Sequence, residues 1–143
     1  MKILLVCTGN TCRSPMAEGI LRVLVQEREL TDFDVSSAGV ATVDGLGASI
    51  NAIEVANELG ADIELHQSRV LTEGMLNSAD VVYCMTSFHK SSIDSIYPEF
   101  EAKVHKLGED EVDDPFGGDI DEYRSCAIKI KILLEEKLEN LHD

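Results

Sequence analysis

Basic residues are scarce in this sequence of 143 residues. Lysine and arginine together number 12, against 27 aspartate and glutamate residues, so the formal net charge is −15. Nucleic-acid-binding proteins usually present a basic face, and no nucleic-acid partner is therefore expected. An acidic surface keeps a protein soluble and repels anions at long range. Any anion site must therefore draw its positive potential from a few nearby residues and backbone dipoles.

Long apolar runs are also missing. No stretch reaches the length of about 18 residues that a membrane-spanning helix needs, so no membrane association is expected. The first apolar run, residues 2–6, is too short for the apolar region of a signal peptide and predicts a buried strand. From these features we expect a cytoplasmic protein, and we expect it to be a monomer.

The cysteine patterns of metal sites are absent too. The sequence contains four cysteines: Cys7, Cys12, Cys84 and Cys126. They form neither a CxxC pair nor a cluster with histidines, which argues against zinc, and a cytoplasmic protein seldom uses cysteines as a disulfide framework. Cys84 falls in a predicted buried strand and Cys126 in a predicted helix, and both are interpreted as core residues. His89 and His105 are interpreted as ordinary surface histidines.

Strands and helices alternate along the chain. Apolar runs predict four strands, over residues 2–6, 33–37, 79–85 and 103–107. Apolar positions at helical spacing predict four helices, over residues 15–29, 49–59, 87–96 and 119–141. Residues 38–39 are expected to end the second strand. The alternation predicts an α/β fold with a parallel sheet, and the length suits one domain over residues 1–143.

The loop at residues 7–14 carries a C-x5-R-S pattern and lies where parallel sheets bind ligands, beyond the carboxyl end of a strand. A curled loop before a helix N-terminus directs several backbone N–H groups into one concavity, which suits a phosphate dianion. Arg13 adds a fork matched to two phosphate oxygens. The same positive field favours the thiolate of Cys7, a candidate nucleophile. Ser14 can donate a hydrogen bond to that sulfur.

The remaining loop residues are expected to support the anion. Gly9 allows a tight turn, and Asn10 can brace the loop through its side-chain amide. The predicted phosphate-binding loop comprises Thr8, Gly9, Asn10, Thr11, Cys12, Arg13 and Ser14. A buried, inert cysteine beside an ordinary loop is the alternative, but the position between a strand and a helix that starts near Pro15 favours an anion site. A phosphate-binding module without catalysis stays open at this point.

Several runs, in matching order and spacing along the whole chain, resemble the low-molecular-weight protein tyrosine phosphatase family. They are residues 6–18, 37–39, 66–69, 85–86 and 114–118. The resemblance implies a three-layer α/β/α fold with a four-stranded parallel sheet and the phosphate-binding loop after the first strand. It also implies hydrolysis of a phosphorylated protein without metal or cofactor, through a phosphocysteine intermediate on Cys7, with Arg13 holding the phosphoryl group.

The resemblance assigns a role to a second loop. Attack by a thiolate needs a proton donor for the leaving group, and a carboxylic acid on a loop is suitable. Asp114 is the implied general acid, and later the base that activates water. Its neighbour Asp113 is interpreted as a solvated carboxylate. Phe116 is expected to form a wall of the substrate entrance, the alternative being a core aromatic residue.

Other matching positions are implied to act indirectly. Ser37 and His66 correspond to family positions that brace Asn10 and the loop through hydrogen bonds. Cys12 lies near Cys7 in a curled loop, and the family supports a reversible disulfide between them that protects the nucleophile from over-oxidation. A small buried side chain without a redox role is the alternative for Cys12.

Thr11 bears on which phosphoamino acid is the substrate. Family members that act on phosphotyrosine often have a bulky aliphatic residue here, and the bacterial protein arginine phosphatase branch resembles this chain more closely. A hydroxyl beside the phosphate can hydrogen-bond in the transition state or align water. We therefore predict a protein arginine phosphatase, with a protein tyrosine phosphatase as the alternative. An arsenate reductase, an alternative of another class, would need two further cysteines near the third strand, where Cys84 stands alone.

Overall fold

The computed structural model describes residues 1–142 and contains a four-stranded sheet. The strands are β1 (Lys2–Cys7), β2 (Asp34–Gly39), β3 (Val81–Cys84) and β4 (Val104–Lys106). Their order across the sheet is β2-β1-β3-β4, and every neighbouring pair is parallel. The apolar β1 lies between two other strands, as expected of a strand that is buried on both faces.

Helices cover both faces of this sheet. Within residues 1–142 the α-helices are α1 (Arg13–Glu27), α2 (Ile50–Glu58), α3 (Glu73–Ser78), α4 (Ser87–Ile96) and α5 (Ile120–His142). A 3-10 helix, Pro98–Lys103, leads into β4. None of the helices in this part of the chain is long and apolar enough to cross a membrane.

The central strand β1 contributes to two hydrophobic cores, because successive side chains of a strand point to opposite faces. Ile3 and Leu5 pack with apolar side chains of α1, α2 and α5 on one face. Leu4 and Val6 pack with side chains of α3 and α4 on the other. The resulting three layers confirm the predicted α/β/α fold class and leave the carboxyl end of β1 between them.

The predicted strands and helices are all present, with ends within two residues of the prediction. The short α3 was not predicted, because only Leu76 of its six residues is buried and no helical period is visible. Thr72 begins this helix by accepting a hydrogen bond from the backbone N–H of Met75. The prediction that residues 38–39 end the second strand is wrong, since β2 continues through Gly39.

Gly39 extends β2 because the loop after β1 passes very close to it. It pairs with Cys7 across the sheet. A Cβ atom at Gly39 would lie 2.6 Å from the carbonyl oxygen of Thr8 and 3.1 Å from the backbone nitrogen of Asn10. The absence of a side chain therefore lets the strand and the loop pack backbone against backbone.

We expect Gly39→Ala to lower the free energy of unfolding by about 1–3 kcal/mol, the usual cost of forcing an extra methyl group into a packed region. Gly47→Ala is a matched control, because a Cβ atom there meets nothing within 4 Å. Urea unfolding measures both effects. A Gly39→Ala midpoint equal to that of the wild type would contradict the close approach.

Candidate active site

The loop predicted to bind phosphate connects β1 to α1 at the carboxyl end of the central strand. The N–H of Val40 donates a hydrogen bond of 3.0 Å to the Cys7 carbonyl. On the other side, the N–H of Ser49 donates one of 2.9 Å to the Thr11 carbonyl. Backbone hydrogen bonds from two different segments thus hold the loop in a defined position.

Cys7 lies at the base of the loop, with only 2% of its surface exposed. Its Sγ atom lies 2.9 Å from Ser14 Oγ and 3.3 Å from the backbone nitrogen of Asn10. The backbone N–H donates to the sulfur. Hydrogen bonds donated to a sulfur favour its anionic form, which is the reactive one.

The side-chain amide of Asn10 determines the direction of the bond between Ser14 and Cys7. This amide is fully buried, and its Oδ1 accepts a hydrogen bond of 2.9 Å from the backbone N–H of Arg69, which can only donate. Nδ2 must therefore donate to Ser14 Oγ at 2.7 Å and to Ser37 Oγ at 3.0 Å. Because Ser14 accepts from Asn10, its own hydroxyl proton is directed to the sulfur of Cys7.

Two further residues extend the hydrogen bonds around Asn10. Ser37 donates to Glu18 Oε1 at 3.0 Å, and His66 Nε2 donates to the Asn10 carbonyl at 2.8 Å. The structure thus brings Ser37 and His66 into contact with the residue that they were predicted to brace. Asn10 itself has a φ of 55°, in the left-handed region that asparagine tolerates better than most residues.

Arg13 joins this loop to the predicted acid loop. Its side chain is 5% exposed, and Nη1 donates to the Val112 carbonyl at 3.0 Å, while Nη2 lies 3.5 Å from Asp114 Oδ2. The Asp114 side chain is 49% exposed, and its Oδ1 accepts a hydrogen bond of 3.1 Å from the N–H of Phe116. A thiol, a guanidinium and a solvent-accessible carboxyl group therefore converge at one end of the sheet.

The comparison with known families agrees with this arrangement. The family described as low molecular weight phosphotyrosine protein phosphatase matches residues 2–143. The chain belongs to this family. The resemblance recognised from the sequence runs is thereby confirmed.

Relatives within this family are named for either of two phosphoamino acids. The protein-arginine-phosphatase of Bacillus subtilis (strain 168) is 40% identical over 147 aligned positions, which cover 99% of this chain and 97% of the relative. A mutant of the arginine phosphatase YwlE with a phosphorylated active-site serine has a TM-score of 0.94 at 38% identity and covers 100% of this chain and 97% of its own. The low molecular weight protein tyrosine phosphatase from T. tengcongensis has a TM-score of 0.93 at 39% identity, covering 98% and 99%.

Cys12 lies in the phosphate-binding loop, beside three hydroxyl groups. Its Sγ atom is 3.5 Å from both Ser49 Oγ and Tyr123 Oη, and 3.9 Å from Thr11 Oγ1. Burial is the largest cause that raises the pKa of Tyr123, and the hydrogen bond with Cys12 is the second. Sequence reasoning did not identify Tyr123, because it lies in α5, 111 positions after Cys12.

The other two cysteines are core residues, although Cys126 lies near the acid loop, with its sulfur 3.8 Å from the carbonyl oxygen of Asp113. Cys84 and Cys126 are both buried, and burial is the main cause that raises the pKa of each thiol to about 12. Each therefore stays protonated at neutral pH and serves as a small core side chain, as interpreted. Among the side chains of residues 1–141, no group of three or more histidine, cysteine or acidic residues is arranged to hold a metal ion.

The interpretation of His89 as a surface residue is wrong. His89 is only 1% exposed, and its ring contacts Thr8 of the phosphate-binding loop. Burial, and then the nearby Arg13 guanidinium, lower its pKa to about 4. A signal was available in the sequence, since His89 follows Thr86 at the spacing of a capping box, and these two residues do cap α4. His105 is exposed, as interpreted.

We expect the free energy of unfolding to fall as the pH drops from about 6.5 to about 4, because the unfolded chain binds a proton on His89 that the folded protein does not accept. His89→Gln should remove this contribution, which is about 2 kcal/mol between pH 7 and pH 5 for a pKa lowered from 6.5 to about 4. The measurement is urea unfolding at several pH values between about 7 and about 5, above the range in which most carboxylates titrate.

His105→Gln is the matched control for this experiment, since the ring of His105 is exposed. It should retain the wild-type dependence of stability on pH. A His89→Gln variant that loses stability with falling pH as steeply as the wild type would show that His89 is not buried in its neutral form.

Proposed function

We propose that this protein is a phosphatase that hydrolyses a phosphorylated amino acid in a protein substrate, with Cys7 as the nucleophile. The observation that carries the proposal is the convergence of three groups: the Cys7 sulfur, with donors from Ser14 and Asn10, the buried Arg13 and the accessible Asp114. Membership of the phosphatase family supports it, as does the YwlE mutant whose active-site serine is phosphorylated.

The proposed reaction has two displacements at phosphorus. The loop N–H groups and Arg13 bind the phosphoryl group, the Cys7 thiolate attacks phosphorus, and the bond to the leaving atom breaks while Asp114 donates a proton to that atom. A phosphocysteine results. Asp114, now a carboxylate, then removes a proton from an attacking water, which releases inorganic phosphate and regenerates the thiolate of Cys7. The direction of the Ser14 hydrogen bond suits Cys7 as nucleophile in the first step and as leaving group in the second.

Phosphoarginine is the proposed substrate residue. The one hydrogen-bond contact of the Thr11 hydroxyl with the side chains of residues 1–141 is with the distant sulfur of Cys12 at 3.9 Å, so the hydroxyl is available to substrate or water. The relative from Bacillus subtilis named protein-arginine-phosphatase supports this substrate. Phe116, with 74% of its surface exposed, is proposed to form the wall of the entrance along the substrate side chain. The family name and the T. tengcongensis relative favour phosphotyrosine as the second candidate.

In the same proposal, residues 1–143 form one phosphatase domain, which acts as a monomer in the cytoplasm. The proposed reaction uses no metal or cofactor, and the protein binds neither nucleic acid nor a membrane. A thiol nucleophile requires a reducing compartment, and the four cysteines in the described residues are free. An arsenate reductase is disfavoured because residues 85–89, which follow β3, contain no second thiol to pair with Cys84.

We also propose that Cys12 protects Cys7 against irreversible oxidation. Peroxide oxidises the Cys7 thiolate to a sulfenic acid, and the Cys12 thiol then attacks that sulfur, forming a disulfide and releasing water. A thiol reductant restores both groups by exchange. Cys12 lies in the same loop as Cys7, and its sulfur contacts the hydroxyls of Ser49 and Tyr123, which supports this role.

The substrate is tested by comparing kcat/KM for phosphoarginine and phosphotyrosine peptides under reducing conditions. Wild type should prefer phosphoarginine, and Thr11→Ile should shift the ratio toward phosphotyrosine by about tenfold or more, the effect of one lost hydrogen bond in the transition state. Thr11→Ser keeps the hydroxyl, and Thr11→Val keeps the shape of the side chain without it. These controls separate the effect of the hydrogen bond from the effect of side-chain shape. A preference of the wild type for phosphotyrosine would exclude phosphoarginine as the substrate.

The mechanism is tested by Cys7→Ser in the same assay. Loss of the nucleophile should reduce turnover of both peptides by about 10⁵-fold or more. Retained activity in this variant would reject the phosphocysteine intermediate, whichever peptide the wild type prefers.

Protection by Cys12 is tested by mild peroxide treatment followed by a thiol reductant. Wild type should regain most of its activity, whereas Cys12→Ser should regain little, because its sulfenic acid proceeds to irreversible oxidation. Cys84→Ser is the control and should recover like wild type, since Cys84 is fully buried in β3 and its pKa is about 12. Equal recovery of wild type and Cys12→Ser would exclude the protective disulfide.

A further inference from the structure

The ring of His89 and the hydroxyl of Thr8 form a buried contact that the mechanism above does not use. Thr8 follows the nucleophile in the loop, and His89 lies in the first turn of α4, after the neighbouring strand β3. His89 Nε2 and Thr8 Oγ1 are 2.8 Å apart. The direction of this hydrogen bond follows from the contacts of the other ring nitrogen.

The second nitrogen of His89 accepts a hydrogen bond from the protein backbone. The N–H of Thr86 points to Nδ1 at 3.2 Å, and a backbone N–H can only donate. The hydroxyl of Thr86, 3.1 Å from the same nitrogen, can donate as well as accept, so it is compatible with an unprotonated Nδ1. Nδ1 therefore carries no proton, and the single proton of the neutral ring lies on Nε2. The neutral state agrees with the low pKa of His89, whose charged neighbours are Arg13, Glu111 and Asp114. His89 Nε2–H thus donates to the oxygen of Thr8.

Thr8 Oγ1 also accepts from a second donor. Arg13 Nη2 donates to it at 3.3 Å. A hydroxyl oxygen has two lone pairs, and these two donors occupy both of them. The Thr8 hydroxyl proton is therefore directed to neither neighbour, and it has no hydrogen-bond acceptor among the side chains of residues 1–141.

The hydroxyl proton of Thr8 lies in the part of the site where phosphate is expected. The Nη2 atom that donates to Thr8 also lies 3.5 Å from Asp114 Oδ2. The hydroxyl of Thr8 is therefore next to the guanidinium that holds the phosphoryl group in the proposed function, on the side of the proposed acid. A donor in this position suits an anionic phosphoryl oxygen.

We propose that Thr8 is a further phosphoryl-binding residue, whose hydroxyl donates to a phosphoryl oxygen, and that His89 is a positioning residue which orients this hydroxyl. The proposal rests on the proposed function, since it concerns the same anion site. It assigns His89 a role through Thr8 alone, with no contact to substrate. It also explains why the buried imidazole of His89 accepts a hydrogen bond from the backbone at one nitrogen and donates one to the loop at the other.

The first test measures binding of inorganic phosphate to the purified protein by calorimetry, which needs no knowledge of the substrate. Thr8→Val removes the hydroxyl at nearly constant shape and should weaken phosphate binding by about tenfold, the effect of losing one hydrogen bond to a charged group. Thr8→Ser retains the hydroxyl and should remain within about threefold of the wild type. Equal phosphate affinity in Thr8→Val and wild type would overturn the proposal. If Thr8→Val kept the wild-type phosphate affinity but changed the acid limb of the pH–rate profile, the Thr8 hydroxyl would be assigned as a donor to Asp114 instead.

The second test asks whether His89 acts through Thr8. His89→Phe should weaken phosphate binding several-fold in the wild-type background and have no further effect in Thr8→Val, because the hydroxyl that it orients is gone. Independent, additive losses would overturn the positioning role. His89→Gln, which retains a side-chain N–H donor, should partly restore the affinity and keeps the test available if His89→Phe does not fold.

A matched control separates these effects from loss of helix stability. Thr72→Val removes the N-cap hydroxyl of α3, as His89→Phe disturbs the cap of α4, but Thr72 lies outside the phosphate site. It should lower Tm and leave phosphate affinity unchanged. A wild type that binds phosphate but hydrolyses neither peptide contradicts the proposed function, while the comparison of phosphate affinities still tests Thr8. A wild type that binds no phosphate contradicts the role of Thr8.

Discussion

The geometry of the nucleophile depends on one buried side chain, the amide of Asn10. A backbone N–H that can only donate fixes the orientation of this amide, and the amide in turn fixes the hydroxyls of Ser14 and Ser37. A buried polar group without partners is costly, and here each group of the amide is paired. The loop can therefore keep a left-handed residue and a close contact with β2, because many hydrogen bonds determine the same conformation.

The site also resolves a conflict between the substrate and the charge of the protein. A chain with a formal net charge of −15 repels phosphate at long range, so attraction has to arise within a few ångströms of the anion. Burial of Arg13 to 5% exposure places a permanent positive charge in a region of low dielectric, where charge interactions are stronger than in water. The carboxyl group of Asp114 lies 3.5 Å from this guanidinium, and its half-exposed position is compatible with the proton transfers proposed for it.

How much of the site could be predicted from sequence depends on how far apart its residues lie along the chain. The loop at residues 7–14 is local, so its pattern and its place after a strand were enough to indicate the nucleophile, the arginine and the serine. Ser37 and His66 could be predicted only from the family resemblance. They lie 27 and 56 positions along the chain from Asn10, and hydrogen bonds over such separations leave no periodic signal in the sequence. Tyr123 was missed because its contact with Cys12 arises only when α5 packs against the loop. The spacing of His89 after Thr86 could have indicated a helix cap, but its contact with Thr8 arises only when α4 packs against the loop. The helix α3 was missed for another reason, since a single buried residue gives no helical pattern.

The link between Arg13 and the acid loop has a consequence for how such an enzyme can diversify. Arg13 is held there by the backbone carbonyl of Val112, an atom that every amino acid possesses. The exposed positions that follow, including Phe116, can therefore exchange side chains over generations without releasing the guanidinium from its anchor. Selection can thus remodel the exposed surface of the acid loop while the anchor of Arg13 is inherited unchanged.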